Sequence, residues 1–300
     1  VNSVQAAPEA TAAQAPPEDA SLASPRVVPS AAPPAMDTPD AASEATSAPD
    51  PKPRDLVAGL ENGLAVIAAF DQERPRLTIS EVARLCGLSR AAARRYLITL
   101  EHLGYVASDR KMYALTAKVL RLGQSYMHSS RLPRLVQPEL YRLAHALKEA
   151  SSAGVLDEAD VLCIAATTAG RVVSTTLQPG TRVPAYCTAN GRVLLAAKPQ
   201  QEVDDWIARQ TLRPLTPHTL THPERLRVEI ARARAQGWAV VDQELELGLR
   251  TISVPLKNFR GEVVAALNVS AHASRIGTER MAADFLPALL HAQAALRTLL

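Results

Sequence analysis

Between Thr78 and Leu115 four local signals follow one another in an order that few folds can use. Thr78-Ile79-Ser80-Glu81 is a capping box, a Thr hydroxyl for the free amides and a Glu three residues on. Val82, Ala83 and Leu85 then supply the buried side of a short helix. Cys86-Gly87-Leu88 is a three-residue turn whose glycine can take the left-handed conformation, and Ser89 is a good N-cap for the next helix. Ala93, Leu97 and Leu100 form one face of that helix, with Arg90, Arg94 and Arg95 at or near the other. After Gly104, Tyr105-Val106-Ala107 and Met112-Tyr113-Ala114-Leu115 predict two short strands joined by Ser108-Asp109-Arg110-Lys111. A preceding helix is expected from Leu60, Leu64, Ile67 and Ala68, ending near Phe70, before a charged loop over 71–76. The whole predicts a winged helix-turn-helix over residues 55–115.

This arrangement suits DNA. The second helix of such a unit enters the major groove by its N-terminal end. Ala91, Ala92 and Ala93 are small enough for close approach, and Arg90, Arg94 and Arg95 can reach phosphates or guanine edges. Arg110 and Lys111 at the hairpin tip suit a wing against the backbone or minor groove. Charge agrees: residues 84–121 hold eight basic side chains against Glu101 and Asp109.

Residues 1–54 differ in composition, with 11 of the 22 prolines, 15 alanines and no glycine or aromatic residue. Such a segment cannot bury enough apolar surface to offset its ordering entropy, so a disordered tail is expected there. It is acidic and lacks a compact apolar block behind a basic cluster, which argues against a secretory signal. Apolar runs such as 193–197 and 263–267 fall far short of the roughly 20 residues a spanning helix needs. Cys86, Cys163 and Cys187 are far apart, which excludes a zinc ribbon or disulfide framework and fits a reducing cytoplasm.

Beyond a linking helix within 116–131 and another helix over 132–150, the pattern changes to strands at 153–156, 161–165 and 171–176. Helices follow from an opening at Thr188-Ala189-Asn190-Gly191 to about Ala197, and over 202–209 and 223–236. Strands at 238–241, 251–256 and 263–270 precede a closing helix over 278–300. Residues 132–300 therefore predict an α+β domain with an antiparallel sheet. Two constellations in it could contact a small polar ligand. The first is Thr188-Ala189-Asn190-Gly191-Arg192, a helix start with free amides and a positive dipole end, suited to a carboxylate. The second is the polar stretch 242–250, with Asp242, Glu244 and Arg250, flanked by Thr251, Ser253, Asn268 and Ser270 on strands. A carboxylate ligand facing Asp242 and Glu244 would need a cation from Arg182, Arg192 or Arg250, unless the acids accept from a ring hydroxyl. No nucleophile elbow, phosphate loop or zinc-protease pattern is present, so no enzyme activity and no cofactor is expected. His218 and His222, bracketed by Pro217 and Pro223, lack a third ligand, and no metal site is expected.

Taken together these residues resemble the IclR family of bacterial transcription regulators. The resemblance spans roughly 56–298 and rests on Gly63-Leu64-Ala65-Val66-Ile67, on the run 77–83, on Gly87-Leu88-Ser89-Arg90 and the helix after it, and on Leu103-Gly104-Tyr105-Val106. In the second domain it rests on the runs 184–196 and 248–255. The runs 89–95 and 242–250 look most like the branch controlling aromatic-acid catabolism, β-ketoadipate pathway regulators included. The resemblance implies a winged helix-turn-helix, a linker helix and a GAF-like effector-binding domain. It also implies a homodimer or dimer of dimers on double-stranded promoter DNA, and a small aromatic acid as effector. The family's recognition positions fall on Ser89, Arg90, Ala91, Ala92, Arg94 and Arg95. Its effector positions fall on Ala189, Asn190, Gly191, Asp242, Thr251, Asn268 and Ser270, with a wall near Val173 and Thr175. Three alanines stand where many relatives carry Ser or Thr, and Asn190 and Thr251 depart from the commoner residues. Two other readings compete: a metabolite-binding or hydrolytic enzyme domain with a helical appendage, and an architectural DNA binder without effector.

Overall fold

Leu77 and Thr78 form a two-residue strand, β1, that ends where the next helix begins. The computed structural model describes residues 56–71, 73–168 and 177–300. The expected tail over 1–54 and strand over 171–176 lie outside the described residues. Helix α1 is Ala58–Ala68, α2 is Ile79–Leu85 and α3 is Arg90–His102. Strands β2 (Val106–Asp109) and β3 (Met112–Leu115) pair antiparallel, and β1 joins them in the order β1-β3-β2. Sequence reading took Thr78 only as a cap. Its pairing with Met112 is a contact across 34 positions, which local patterns do not encode.

The local signals operate as their chemistry dictates. Thr78 and Glu81 close the capping box reciprocally, the Glu81 carboxylate accepting from the Thr78 amide at 2.7 Å. Gly87 takes φ +65° and turns the chain into α3, where Ser89 Oγ accepts from the Ala92 amide at 3.1 Å. Val66, Phe70, Val82, Ala93, Leu97 and Val106 form the small core. Leu60 and Leu64 of α1, despite their helical spacing, remain more than half exposed.

The linking segment begins with a short 3₁₀ turn, Ala117–Val119, before α4 (Leu120–Ser129). Helix α5 is Arg131–Leu147, ending three residues sooner than its apolar pattern predicts. Lys148 turns left-handed there, and the chain becomes strand β4, Ala150–Asp157. Then come β5 (Asp160–Thr167), β6 (Arg182–Pro184), α6 (Ala189–Ala196), α7 (Gln200–Ala208) and α8 (Pro223–Gln236). Strands β7 (Ala239–Asp242), β8 (Leu249–Lys257) and β9 (Val263–His272) complete the sheet. The closing helix is interrupted: α9 is Thr278–Arg280, a π-helical turn covers Met281–Phe285, and α10 is Leu286–Arg297.

The six strands pair antiparallel in the order β6-β5-β4-β9-β8-β7. Period-two alternation divides its residues between two faces. Ala153, Ile252, Val254, Leu267 and Val269 pack with Val136, Leu140 and Leu289 from α5 and α10. On the other face Val241 and Ala266 meet Leu195, Trp206, Leu226 and Ile230 from α6, α7 and α8. The result is an α/β domain of three layers. Among the described residues no helix is long and apolar enough to cross a membrane.

Candidate functional site

The first surface is the outer side of α3. Ser89, Arg90, Ala91, Arg94 and Arg95 are exposed and Ala92 is half-buried, because Ala93, Leu97 and Leu100 hold the opposite side in the core. None of these arginines forms an ion pair among the described residues. The acid on this helix, Glu101, accepts a hydrogen bond from Ser108 Oγ of the hairpin. Lys118 is also engaged, donating to the Leu103 carbonyl at 2.6 Å and lying 5.2 Å from the Tyr105 ring centre. Arg110 takes φ +59° at the hairpin tip, with Lys111 beside it, and both are exposed. Unpaired cations, small side chains and a helix N-terminus lie together, as an interface with a phosphate backbone requires.

The second site is a small cavity between the start of α6 and the sheet, with about 30 Å³ of free volume. Leu177, Val183, Val241, Leu245 and Leu249 form its apolar wall, and Cys187, Thr188, Asn190, Thr251, Asn268 and Ser270 contribute polar atoms. Thr188 caps α6 by accepting from the Gly191 amide at 3.1 Å, so the Ala189 and Asn190 amides stand ahead of the first helical hydrogen bonds. A Cβ on Gly191 would overlap the Ala185 carbonyl, so α6 starts hard against the preceding turn. Burial pushes the Cys187 thiol up to about 12, with the Glu244 carboxylate adding to the shift. The sulfur therefore carries its proton at neutral pH.

The polar side chains run as one directed chain. Ser270 Oγ donates to Asn268 Oδ1 at 2.8 Å, Asn268 Nδ2 to Ser253 Oγ at 3.1 Å, and Ser253 Oγ to Asn190 Oδ1 at 2.8 Å. These groups meet because Ser253 faces Asn268, and Thr251 faces Ser270, across β8 and β9. Gly154 of β4 makes room: a Cβ there would overlap Val161 Cγ1 at 2.5 Å and lie 3.3 Å from Asn190 Nδ2.

The charged candidates lie elsewhere. Arg192 is 2% exposed and donates to both oxygens of Glu244, at 2.6 and 2.7 Å. Arg250 grips Asp242 through two bonds of 2.8 Å. Arg182 is bound to Asp157 and Asp160. Arg192, Asp242 and Glu244 line an open groove beside α8 rather than the cavity. Of the residues singled out in the sequence, the structure thus brings Asn190, Thr251, Ser253, Asn268 and Ser270 together. Ala189 and Gly191 are buried in the first turn of α6, while the ion pairs keep to themselves. Val173 and Thr175 lie outside the described residues. Sequence reading missed the aliphatic wall, whose only signal is alternation around Val241 and Leu249, and it missed Gly154. Among the described residues no group of three or more His, Cys, Asp or Glu side chains could hold a metal ion.

Models of known families match both halves. The IclR helix-turn-helix domain matches residues 59–110, and the bacterial transcriptional regulator IclR C-terminal domain matches residues 124–297. The chain belongs to the IclR family. It is a ligand-responsive transcription regulator with a helix-turn-helix and a small-molecule effector domain, and the family is regulatory rather than catalytic. It is 45% identical to the Pca regulon regulatory protein of Pseudomonas putida over 79% of this chain and 82% of that relative. Among solved structures it resembles a transcriptional regulator from Rhodococcus sp. RHA1, with TM-score 0.70 and 42% identity over 81% of this chain and 97% of that one. It also resembles the inducer-binding domain of the PobR transcription factor from Acinetobacter, a double mutant in complex with 3-hydroxybenzoic acid. There the TM-score is 0.55 and the identity 30%, over 57% of this chain and all of that domain.

Proposed function

We infer that this IclR-family regulator controls genes for aromatic-acid catabolism and takes a small aromatic carboxylate as effector. The observation that carries the reading is the cavity's lining: aliphatic side chains together with uncharged hydrogen-bonding groups, a surface suited to a ring with polar substituents. The likeness to the domain holding 3-hydroxybenzoic acid supports the same class. With Arg182, Arg192 and Arg250 each bound to its own carboxylates, the effector's carboxylate is received by the start of α6. Ala189, Asn190, Gly191, Thr251, Ser253, Asn268 and Ser270 form the effector site. Arg192, Asp242, Glu244 and Arg250 brace it from outside.

Ser89, Arg90, Ala91, Ala92, Arg94 and Arg95 read promoter DNA, and Arg110 and Lys111 hold its backbone from the hairpin. The protein acts in the cytoplasm as a homodimer or dimer of dimers on partly palindromic sites. A GAF-like effector domain shifts the population between two arrangements of its linker helices, and so the spacing of the recognition helices. Thermal unfolding of the full chain with a panel of aromatic and aliphatic acids tests this. An effector at about 100 times its Kd adds roughly 2.7 kcal/mol. Aromatic acids should raise the midpoint and change operator affinity. Stabilisation by aliphatic acids alone would sink the reading.

A further inference from the structure

Ser151 and Ser152 sit side by side on β4 and face opposite layers. Ser151 Oγ donates to the Leu140 carbonyl of α5 at 2.8 Å. Ser152 points to the α6 layer, directly across from Asn268 of β9, and is 5% exposed. Its Oγ has no hydrogen-bond partner. A buried hydroxyl in that state costs free energy in the unliganded fold. In most folded proteins such a group finds a partner, so each exception calls for a physical reason.

Its surroundings supply one. Cross-strand neighbours have Cβ atoms about 4.5–5.5 Å apart. Ser152 is thus beside Asn268, a wall residue of the cavity, and two residues from Gly154, where the Asn190 carboxamide lies. The directed chain from Ser270 to Asn190 runs past Ser152 without using it. Ser152 does not itself line the cavity but stands just behind its wall, one cross-strand position from Asn268, so a ligand group that displaces the Asn268 carboxamide meets it next. The start of α6 already suits a carboxylate, so the oxygen at the sheet belongs to the other end of the ring. A phenol both donates and accepts, and it loses far less hydration than a carboxylate set against one uncharged hydroxyl.

We propose that Ser152 is a specificity-determining residue whose hydroxyl bonds a ring hydroxyl of the effector, so that the pocket selects a hydroxylated aromatic acid over the unsubstituted one. The inference rests on the aromatic-acid reading above. Its test is calorimetric titration of the full chain, wild type, Ser152→Ala and Ser151→Ala, with benzoate, 3-hydroxybenzoate and 4-hydroxybenzoate. Ser152→Ala should bind the preferred hydroxybenzoate about 5- to 20-fold more weakly and benzoate within about twofold of wild type. Its unliganded melting midpoint should not fall, since an unpaired hydroxyl is removed. Ser151→Ala should lower the midpoint and keep the wild-type order of the three acids. Unchanged binding in Ser152→Ala, or an equal loss for all three acids, overturns the proposal while leaving the aromatic-acid reading intact. Wild type that binds none of them removes that reading and this inference with it.

Discussion

In α3, Arg90, Arg94 and Arg95 stand in solvent with no carboxylate partner among the described residues, whereas Arg192, Arg250 and Arg275 of the effector domain are each closed onto one. The same side chain serves two electrostatic ends. An exposed guanidinium keeps its hydration until a phosphate replaces it, and releases counterions when it binds. A buried guanidinium such as Arg192 has lost its water and depends on Glu244. Free charge on one half prepares it for a polyanion. Internal pairing on the other leaves a neutral pocket, where shape and hydrogen bonds select the ligand.

The largest effect should come from breaking a closed pair. Glu244→Ala strands Arg192 and should cost about 3–5 kcal/mol, seen as a fall of roughly 10 °C in the melting midpoint. Combining Arg192→Met with Glu244→Leu should recover most of it. A single variant that melts within about 2 °C of wild type would show that the pair is not internally binding. On the open side, Arg94→Ala should keep its melting point and weaken operator binding by about 1–3 kcal/mol. Competition with altered operators separates the roles: a loss confined to certain sequences means base reading, a uniform loss means phosphate contact. Thr78→Ala and Thr188→Ala remove one helix cap in each half, and each should cost about 1 kcal/mol in urea unfolding. Only Thr188→Ala should also weaken acid binding; an equal effect on both would erase the contrast between the halves. The smallest change is expected at the hairpin tip. Lys111→Ala should weaken DNA binding modestly and lower the slope of log affinity against log salt by about 1.

The DNA-binding half was legible because its signals act over three or four residues. Thr78 with Glu81, Gly87, and Ser89 with Ala92 can be paired by counting along the chain. The effector half was legible only in outline. Asn190 and Ser253 are 63 positions apart, and Arg192 and Glu244 are 52 apart, so their pairing follows from strand register and helix placement. Asp242 and Arg250 read as neighbours in one polar loop, yet they face each other across β7 and β8 and spend their charges on one another. Ser152 carried no signal at all. Only the parity of β4 decides that its hydroxyl, and not that of Ser151, lies toward the cavity side.

The contact between Gly191 and the Ala185 carbonyl bears on how such a sensor can be re-tuned. A side chain at Gly191 would push the helix off the turn that precedes it, so the first turn of α6 cannot be redrawn one residue at a time. Thr251, Asn268 and Ser270 stand on strands whose backbone is fixed by neighbours on both sides, and their side chains can change without moving the frame. A biosensor built from this chain for a new acid should therefore be diversified on the strands, with the first turn of α6 left alone.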